Sequence, residues 1–221
     1  MNAAAVIPVY NPEPGLETLC RALVGKGFDV VVVDDGSTRD LERFEALPPE
    51  VTRLKHPKNL GKGRAIKTAL AHLATTGCEL AVFADGDGQH QIEDILAVCE
   101  KARTTGHVAL GVRDFLQSGI PFRSRFGNLW TSKVMRLFCG FQIGDTQTGL
   151  RCIPRRLWGA MLELSGERFE YEMRLFPLLK KLKEPLEQVP IATIYIAQNR
   201  TSHFRPLVDS IKIYQALFSK V

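Results

Sequence analysis

Apolar residues along this chain follow two rhythms. Residues 4–9, 28–33, 80–84 and 108–112 are nearly continuous apolar runs, with a weaker run at 51–56. Runs of this length bounded by Gly, Pro, Asn or Asp predict strands, and near-continuous ones predict strands covered on both faces. Between them, apolar positions recur every three or four residues. Leu16, Leu19, Cys20, Leu23 and Val24 mark one face of a helix, Ile66, Leu70 and Leu73 mark another within 61–74, and a further helix is predicted over 92–103. A short helix after the second strand, capped by Ser37 or Thr38, completes this half.

Regular alternation of strand and helix predicts βαβ units. The fold class is therefore α/β, with a Rossmann-like, mostly parallel central sheet flanked by helices. Beyond residue 113 the rhythm loosens. Helices are predicted at 126–138, 156–164, 171–182 and from 207, with strands at 150–153 and 189–196. No internal repeat and no linker rich in Pro, Gly or Ser interrupts the chain, so 1–221 reads as a single domain with halves 1–115 and 116–221.

Composition narrows the picture. At 221 residues, with 45% hydrophobic and 24% charged, the chain is long enough to bury one substantial core. Its five cysteines are scattered and never form a CxxC pair, which argues against a disulfide framework or zinc cluster and fits a reducing, cytoplasmic setting. The first residues lack the basic start and long apolar stretch of a signal peptide. No run approaches the roughly 20 apolar residues of a membrane-spanning helix. A net charge of +5 suits an anionic ligand or an anionic membrane surface. No nucleic-acid partner is expected.

In open parallel sheets, ligands collect beyond the carboxyl ends of the strands. Three polar clusters fall there: residues 11–13, Asp34-Asp35-Gly36-Ser37, and Asp85-Gly86-Asp87-Gly88. The carboxylates of Asp85 and Asp87, one glycine apart, repel each other unless a cation lies between them. A calcium loop does not fit, because the sixth position is His90 rather than Gly and the twelfth is Leu96 rather than Glu. Mg2+ or Mn2+ fits better, since such ions take one or two carboxylates and complete their shell with phosphates and water. A solvated acidic turn is the alternative.

Other candidates are weaker singly. Asp34 and Asp35 either favour a helix N-terminus or accept hydrogen bonds from a base or ribose. Gly61-Lys62-Gly63, just ahead of a helix, can hold a phosphate through backbone N–H groups and the lysine, although neither a P-loop nor a GxGxxG fingerprint is present. Arg113, Arg123 and Arg125 offer forks that match phosphate geometry. Asp145, Gln147, Thr148 and Arg151 share a turn-rich stretch, Glu170 and Glu172 sit at a helix start, and Arg200, Ser202, His203 and Arg205 lie close in sequence, a His between two Arg that suggests an anion site.

Taken in order, IPVYNP, VVVDDGST, HPKNLGKGRAIKTAL, ADGDGQH and DTQTGLR resemble glycosyltransferase family 2, with its GT-A fold. DTQTGLR, FEYEM and SHFRP are most similar to the polyprenyl-phosphate branch of that family, of the dolichyl-phosphate mannose synthase type. The resemblance implies that 1–115 binds a nucleotide sugar and 116–221 an acceptor. Pro8, Tyr10 and Glu13 would line the nucleoside site, although the usual YNE ending is here Asn11-Pro12-Glu13. Asp34 and Asp35 would include the carboxylate that reads the base, and Lys62 would lie near the nucleotide. Asp85 and Asp87 match the DXD motif, with Asp87 as direct metal ligand and Gln89 as a second. Arg113 and Arg125 would hold acceptor or donor phosphate, Arg200 would meet the diphosphate with His203 nearby, and Asp145 would lie close to the reacting centre.

The implied reaction is inverting, metal-dependent transfer from a nucleotide diphosphate sugar to a polyprenyl phosphate or glycolipid at the membrane surface. A hydroxyl acceptor would need a general base, for which Asp145, Glu170 and Glu172 are candidates. A nucleotidyltransferase and a nucleotide-sugar-binding module without catalysis stay open as alternatives. Larger relatives in the branch carry membrane helices. This chain would instead use a membrane partner protein, peripheral contact on the cytoplasmic face, or a soluble acceptor. The apolar positions of the last predicted helix, including Leu207, Ile211, Tyr214 and Phe218, favour core packing over lipid contact.

Overall fold

Among the described residues, seven strands form one sheet. The computed structural model describes residues 2–113, 135–137, 140–145 and 148–192. Arg123, Arg125, Gln147, Arg200, Ser202, His203 and Arg205, most of the helix predicted at 126–138, and the helix predicted from 207 lie outside the described residues.

The first half follows the predicted alternation: β1 (Ala3–Val9), α1 (Leu16–Gly25), β2 (Asp29–Asp34), α2 (Leu41–Glu45), β3 (Thr52–Lys55), α3 (Lys62–Leu73), β4 (Leu80–Phe83), α4 (Ile92–Thr105) and β5 (Val108–Arg113). β6 (Arg151–Pro154) comes next, then a 3-10 turn (Arg155–Leu157), α5 (Trp158–Leu162), α6 (Glu170–Leu182) and β7 (Leu186–Ile191). β1 pairs in parallel with β2 and β4, β2 with β3, and β5 with β7. The order across the sheet is β3-β2-β1-β4-β6-β5-β7, and β6 runs antiparallel between β4 and β5, so the mostly parallel sheet contains one reversed strand.

Two cores explain the continuous apolar strands. Alternate residues of one strand point to opposite faces. Val6, Val31 and Val33 join Ile66, Leu70, Trp158, Tyr171 and Phe176 on one face, against α3, α5 and α6. Ala5, Ile7, Val30 and Val32 join Leu16, Leu23, Ile95 and Val98 on the other, against α1 and α4. Each large side chain so buried contributes about 1.5–3 kcal/mol.

Two prolines are accommodated within strands. β4 pairs only with Ala3–Val6 of β1, so Pro8 lies beyond its end and its missing N–H removes no bond from that ladder. Pro190 is tolerated because β7 is an edge strand. One predicted cap is corrected. α2 is preceded by Asp40 in a left-handed conformation with no side-chain cap, while the Ser37 hydroxyl accepts a hydrogen bond from the Asn11 N–H at 2.7 Å. The carboxyl ends of β1, β2, β4 and β5 and the amino end of the reversed β6 share one edge of the sheet, and the candidate site lies along it.

Candidate active site

The turns after β1 and β2 hold each other. Asn11 adopts φ 57°, a left-handed conformation that Asn tolerates better than most residues. Its Oδ1 accepts from the Thr38 N–H at 3.0 Å and the Arg39 N–H at 3.3 Å. Pro8, Tyr10 and Glu13, all half-buried, are carried on or just beyond β1.

The two adjacent aspartates do different work. Asp34 is fully buried, and its Oδ1 accepts the Ser37 N–H at 2.8 Å. Its Oδ2 has no hydrogen-bond partner and faces the Lys55 Nζ at 3.6 Å. Asp35 is taken up by the protein: Oδ1 meets the His56 Nδ1 at 2.7 Å and the Leu60 N–H at 2.9 Å, and Oδ2 accepts the Gly61 N–H at 2.7 Å. Asp34 thus retains an oxygen for a ligand donor, whereas Asp35 pins the turn before α3.

That pinned turn is less a phosphate cradle than its sequence predicts. The amides of Leu60 and Gly61 are bound to Asp35, and the Arg64 N–H donates to the Glu167 carbonyl at 3.0 Å. The glycines serve close packing. A β-carbon on Gly63 would lie 2.5 Å from the Cβ of Tyr171, and one on Gly61 would lie 2.4 Å from the Glu167 carbonyl oxygen. The lysine between them does reach the site. Lys62 Nζ lies 2.7 Å from Asp85 Oδ1 and 3.0 Å from Glu172 Oε2, with its side chain 18% exposed.

Asp85 is the hub. Register places Phe83 opposite Arg151 in the antiparallel β4–β6 pair, so two residues further on Asp85 comes against Gly149. A β-carbon on Gly149 would lie 2.3 Å from Asp85 Oδ2. His90 Nε2 is 3.7 Å from the same oxygen. Burial pushes the Asp85 carboxyl up, but the Lys62 and His90 charges outweigh it and hold Asp85 well below the usual carboxylate range. Burial would likewise lower Lys62, yet the charges of Asp85 and Glu172 keep it above its ordinary value.

Asp87 is left differently. Among the described residues it accepts one hydrogen bond, from the Gln89 N–H at 3.0 Å. Burial and then the nearby Asp85 charge push its carboxyl up. A partly buried carboxylate strained by a like charge and served by one protein donor is a place where a cation is welcome. With the Gln89 side chain, the donor set is all oxygen and suits a hard divalent ion completed by phosphates and water. No group of three or more His, Cys, Asp or Glu gathers into a metal cage among the described residues.

On the far side, Asp145 is fully buried and gripped by Arg113: Nε to Oδ2 is 2.6 Å and Nη2 to Oδ1 is 3.3 Å. Glu170 Oε1 accepts from the N–H groups of Glu167 and Arg168 at 3.2 and 3.3 Å, satisfying the start of α6. Arg151 donates from Nη1 to the Glu172 carbonyl at 2.9 Å and from Nη2 to the Thr148 carbonyl, and sits 3.5 Å from Glu172 Oε1. Of the described candidates, Lys62, Asp85 and Glu172 are in direct contact and Arg113 pairs with Asp145, while Arg125, Arg200 and His203 lie outside the described residues. His90 and Gly149 were not singled out as site residues from sequence. His90 entered only as a mismatch to a calcium loop, and nothing local to Gly149 signals that its missing side chain makes room for Asp85.

Fold and acidic edge together define an α/β glycosyltransferase domain of the GT-A class. The chain belongs to glycosyl transferase family 2, whose model matches residues 4–157, and it is accordingly a glycosyltransferase. It is 27% identical over 240 residues to the UDP-N-acetylglucosamine–dolichyl-phosphate N-acetylglucosaminyltransferase of Methanococcus voltae, covering 98% of this chain and 95% of that one. It is 31% identical over 172 residues to the undecaprenyl-phosphate 4-deoxy-4-formamido-L-arabinose transferase of Klebsiella pneumoniae, covering 73% of this chain and 51% of that one. In fold it matches glucosyl-3-phosphoglycerate synthase from Mycobacterium tuberculosis, crystallised with phosphoglyceric acid, at a TM-score of 0.72 and 19% identity over 98% of this chain and 78% of that one. A second crystal structure of that synthase contains Mn2+, UDP-glucose and phosphoglyceric acid, and matches at 0.66 and 19% identity over 89% and 73%. Among the described residues no helix is long and apolar enough to cross a membrane.

Proposed function

We propose that this chain transfers a sugar, with inversion, from a nucleoside diphosphate sugar to a polyprenyl phosphate, using Mg2+ or Mn2+ held by Asp85, Asp87 and Gln89. One observation carries the choice of acceptor. Of the carboxylates that sequence offers as a general base, Asp145 is held by Arg113 and Glu172 by Lys62 and Arg151, while Glu170 spends Oε1 on two amides and keeps an Oε2 that is without a hydrogen bond but buried from solvent. A hydroxyl acceptor needs a base to take its proton. A phosphate monoester, with a second pKa near about 6, is already ionised at neutral pH and needs positioning instead. The Methanococcus voltae and Klebsiella pneumoniae relatives, both named for polyprenyl-phosphate acceptors, support the same reading.

The geometry supports the following roles. Asp34, whose Oδ2 takes no hydrogen bond and faces Lys55, reads the base beside Pro8, Tyr10 and Glu13. The metal, when bound, supplies positive charge where the diphosphate leaves. Asp145 holds the Arg113 guanidinium at the end of β5, where its fork meets a phosphate. Arg125, Arg200 and His203 complete phosphate recognition. The whole of 1–221 forms one domain, donor half 1–115 and acceptor half 116–221, that works on the cytoplasmic face of a membrane. A net charge of +5 suits peripheral contact with an anionic surface or a membrane partner protein.

The test is a panel of UDP-, GDP- and dTDP-sugars, each with Mn2+, Mg2+ or chelator, against polyprenyl phosphate and a glycolipid hydroxyl. Expected is transfer to the phosphate from one nucleotide class, only with metal, and with the anomeric configuration inverted by NMR. Transfer solely to hydroxyls overturns the acceptor, and undiminished transfer in chelator overturns the metal.

A further inference from the structure

We infer that Lys62 is a resident counter-ion shared between Asp85 and Glu172, and that Glu172 sets how readily Asp85 becomes available to a divalent cation by drawing Lys62 away from it. The inference rests on the reading of Asp85 and Asp87 as the cation site. It makes Lys62 and Glu172 positioning residues, acting on the reaction through Asp85.

The structural basis is a partly buried chain of alternating charge that crosses the site. Arg151 is 3.5 Å from Glu172, Glu172 is 3.0 Å from Lys62, and Lys62 is 2.7 Å from Asp85. Both ends are fixed. Arg151 is 3% exposed and bound to the carbonyls of Glu172 and Thr148, which anchors Glu172 independently of Lys62. Asp85 is backed by Gly149 and flanked by His90. Lys62 is the mobile member by chemistry. A lysine carries a compact charge on a flexible four-carbon stem. Its backbone is the first residue of α3, held by the Gly61 amide on Asp35 and the Arg64 amide on Glu167.

Such a cation has two anionic partners at nearly equal range. Without metal it neutralises Asp85, which would otherwise repel Asp87 across one glycine. A divalent ion entering at Asp87 repels Lys62 and takes over Asp85. Lys62 then keeps Glu172, so no buried charge is stranded, which is the costly outcome for a broken buried ion pair. Glu172 comes from α6, in the second half of the chain, and Asp85 from the first, so the two halves are coupled through one ammonium group.

The test is a double-mutant cycle read as Mn2+ affinity, by calorimetry or by the EPR signal of free Mn2+, with UDP and separately with GDP present. Lys62→Met should tighten Mn2+ binding about fivefold or more, and Glu172→Gln should weaken it about threefold, within the span of couplings between contacting residues. In the Lys62→Met background, Glu172→Gln should change Mn2+ affinity by less than about twofold, because its effect runs through Lys62. An equal weakening in both backgrounds marks a general field effect and overturns the inference. Wild-type Mn2+ binding with no change in Lys62→Met overturns it alone, whereas no Mn2+ binding by any form overturns the cation site along with it. Should Lys62→Met not fold, a crystal structure of the wild-type chain with Mn2+ and the nucleotide decides. Lys62 Nζ is expected to have left Asp85 while staying in hydrogen-bond range of Glu172, and Nζ still on Asp85 overturns the inference.

Discussion

Gly149 lies directly against Asp85, with room for a hydrogen but not for a methyl group: a β-carbon there would meet Asp85 Oδ2 at 2.3 Å. The backbone of Gly149 is not left-handed, so only this contact demands glycine. Gly149→Ala should therefore fold, yet push Asp85 off Lys62 and out of line with Asp87. Misplacement of a site group by about 1 Å is able to cost about 100-fold in rate, and a kcat/KM loss of that order with an almost unchanged Tm is expected. Wild-type kcat/KM in Gly149→Ala contradicts the packing.

Asp87 carries a conflict between stability and activity. Burial and the Asp85 charge raise its folded pKa above the ordinary carboxylate value. The folded chain thus holds this proton more tightly than the unfolded chain does. Its contribution to stability is most favourable at low pH, and it becomes a penalty as pH rises through the folded pKa. Asp87→Asn removes that penalty. In chelator, its Tm should exceed wild type at pH 7, and the advantage should shrink as pH falls through the carboxylate range, while turnover is lost. Calorimetry in EDTA checks the sign, and a lower Tm at pH 7 contradicts it.

Asp35 predicts the reverse pattern. It serves three protein donors with two oxygens, all in a buried turn. Asn has one acceptor oxygen, so Asp35→Asn leaves at least one buried N–H without a partner, at a cost of about 1–3 kcal/mol. Urea denaturation should show that loss. The nucleotide response should survive, since Asp34 carries the oxygen that takes no hydrogen bond.

Packing between α3 and α6 gives a purely structural control. A β-carbon on Gly63 would lie 2.5 Å from the Tyr171 Cβ and 2.9 Å from the Glu167 carbonyl carbon. Neither is the end of a flexible side chain. Gly63→Ala should therefore destabilise by about 1–3 kcal/mol or more through overpacking, despite the better helix propensity of alanine. A neutral or raised denaturation midpoint contradicts the close approach.

Much of this was legible in the chain. The continuous apolar runs at 4–9, 28–33, 80–84 and 108–112 marked their strands to within a residue, because a strand covered on both faces needs no alternation, whereas β7 begins at Leu186, three residues before the strand predicted from 189. The direction of β6 was not legible, since a local pattern says where a strand is and not which way the chain re-enters the sheet. The predicted cap at Ser37 failed because Asn11, 26 residues away in sequence, claims the hydroxyl. The Gly61-Lys62-Gly63 turn looked like a phosphate cradle because glycines permit both close ligands and close backbones, and here the close neighbour is the start of α6.

By itself the sequence determined that acidic turns end the strands, that the strands share a buried sheet, and that Asp85 and Asp87 stand one glycine apart. Local chemistry settles these, through burial of apolar runs and the turn preferences of Asp, Asn and Gly. Only the tertiary structure decided which positive charge meets Asp85. It is Lys62, 23 residues upstream, shared with Glu172 of α6, while Asp85 itself rests against Gly149, just ahead of the reversed strand. Those neighbours depend on the register of β4 against β6 and on the approach of α3 to α6. Both are set by packing across long sequence distances, where a shift of one residue would turn each side chain to the other face.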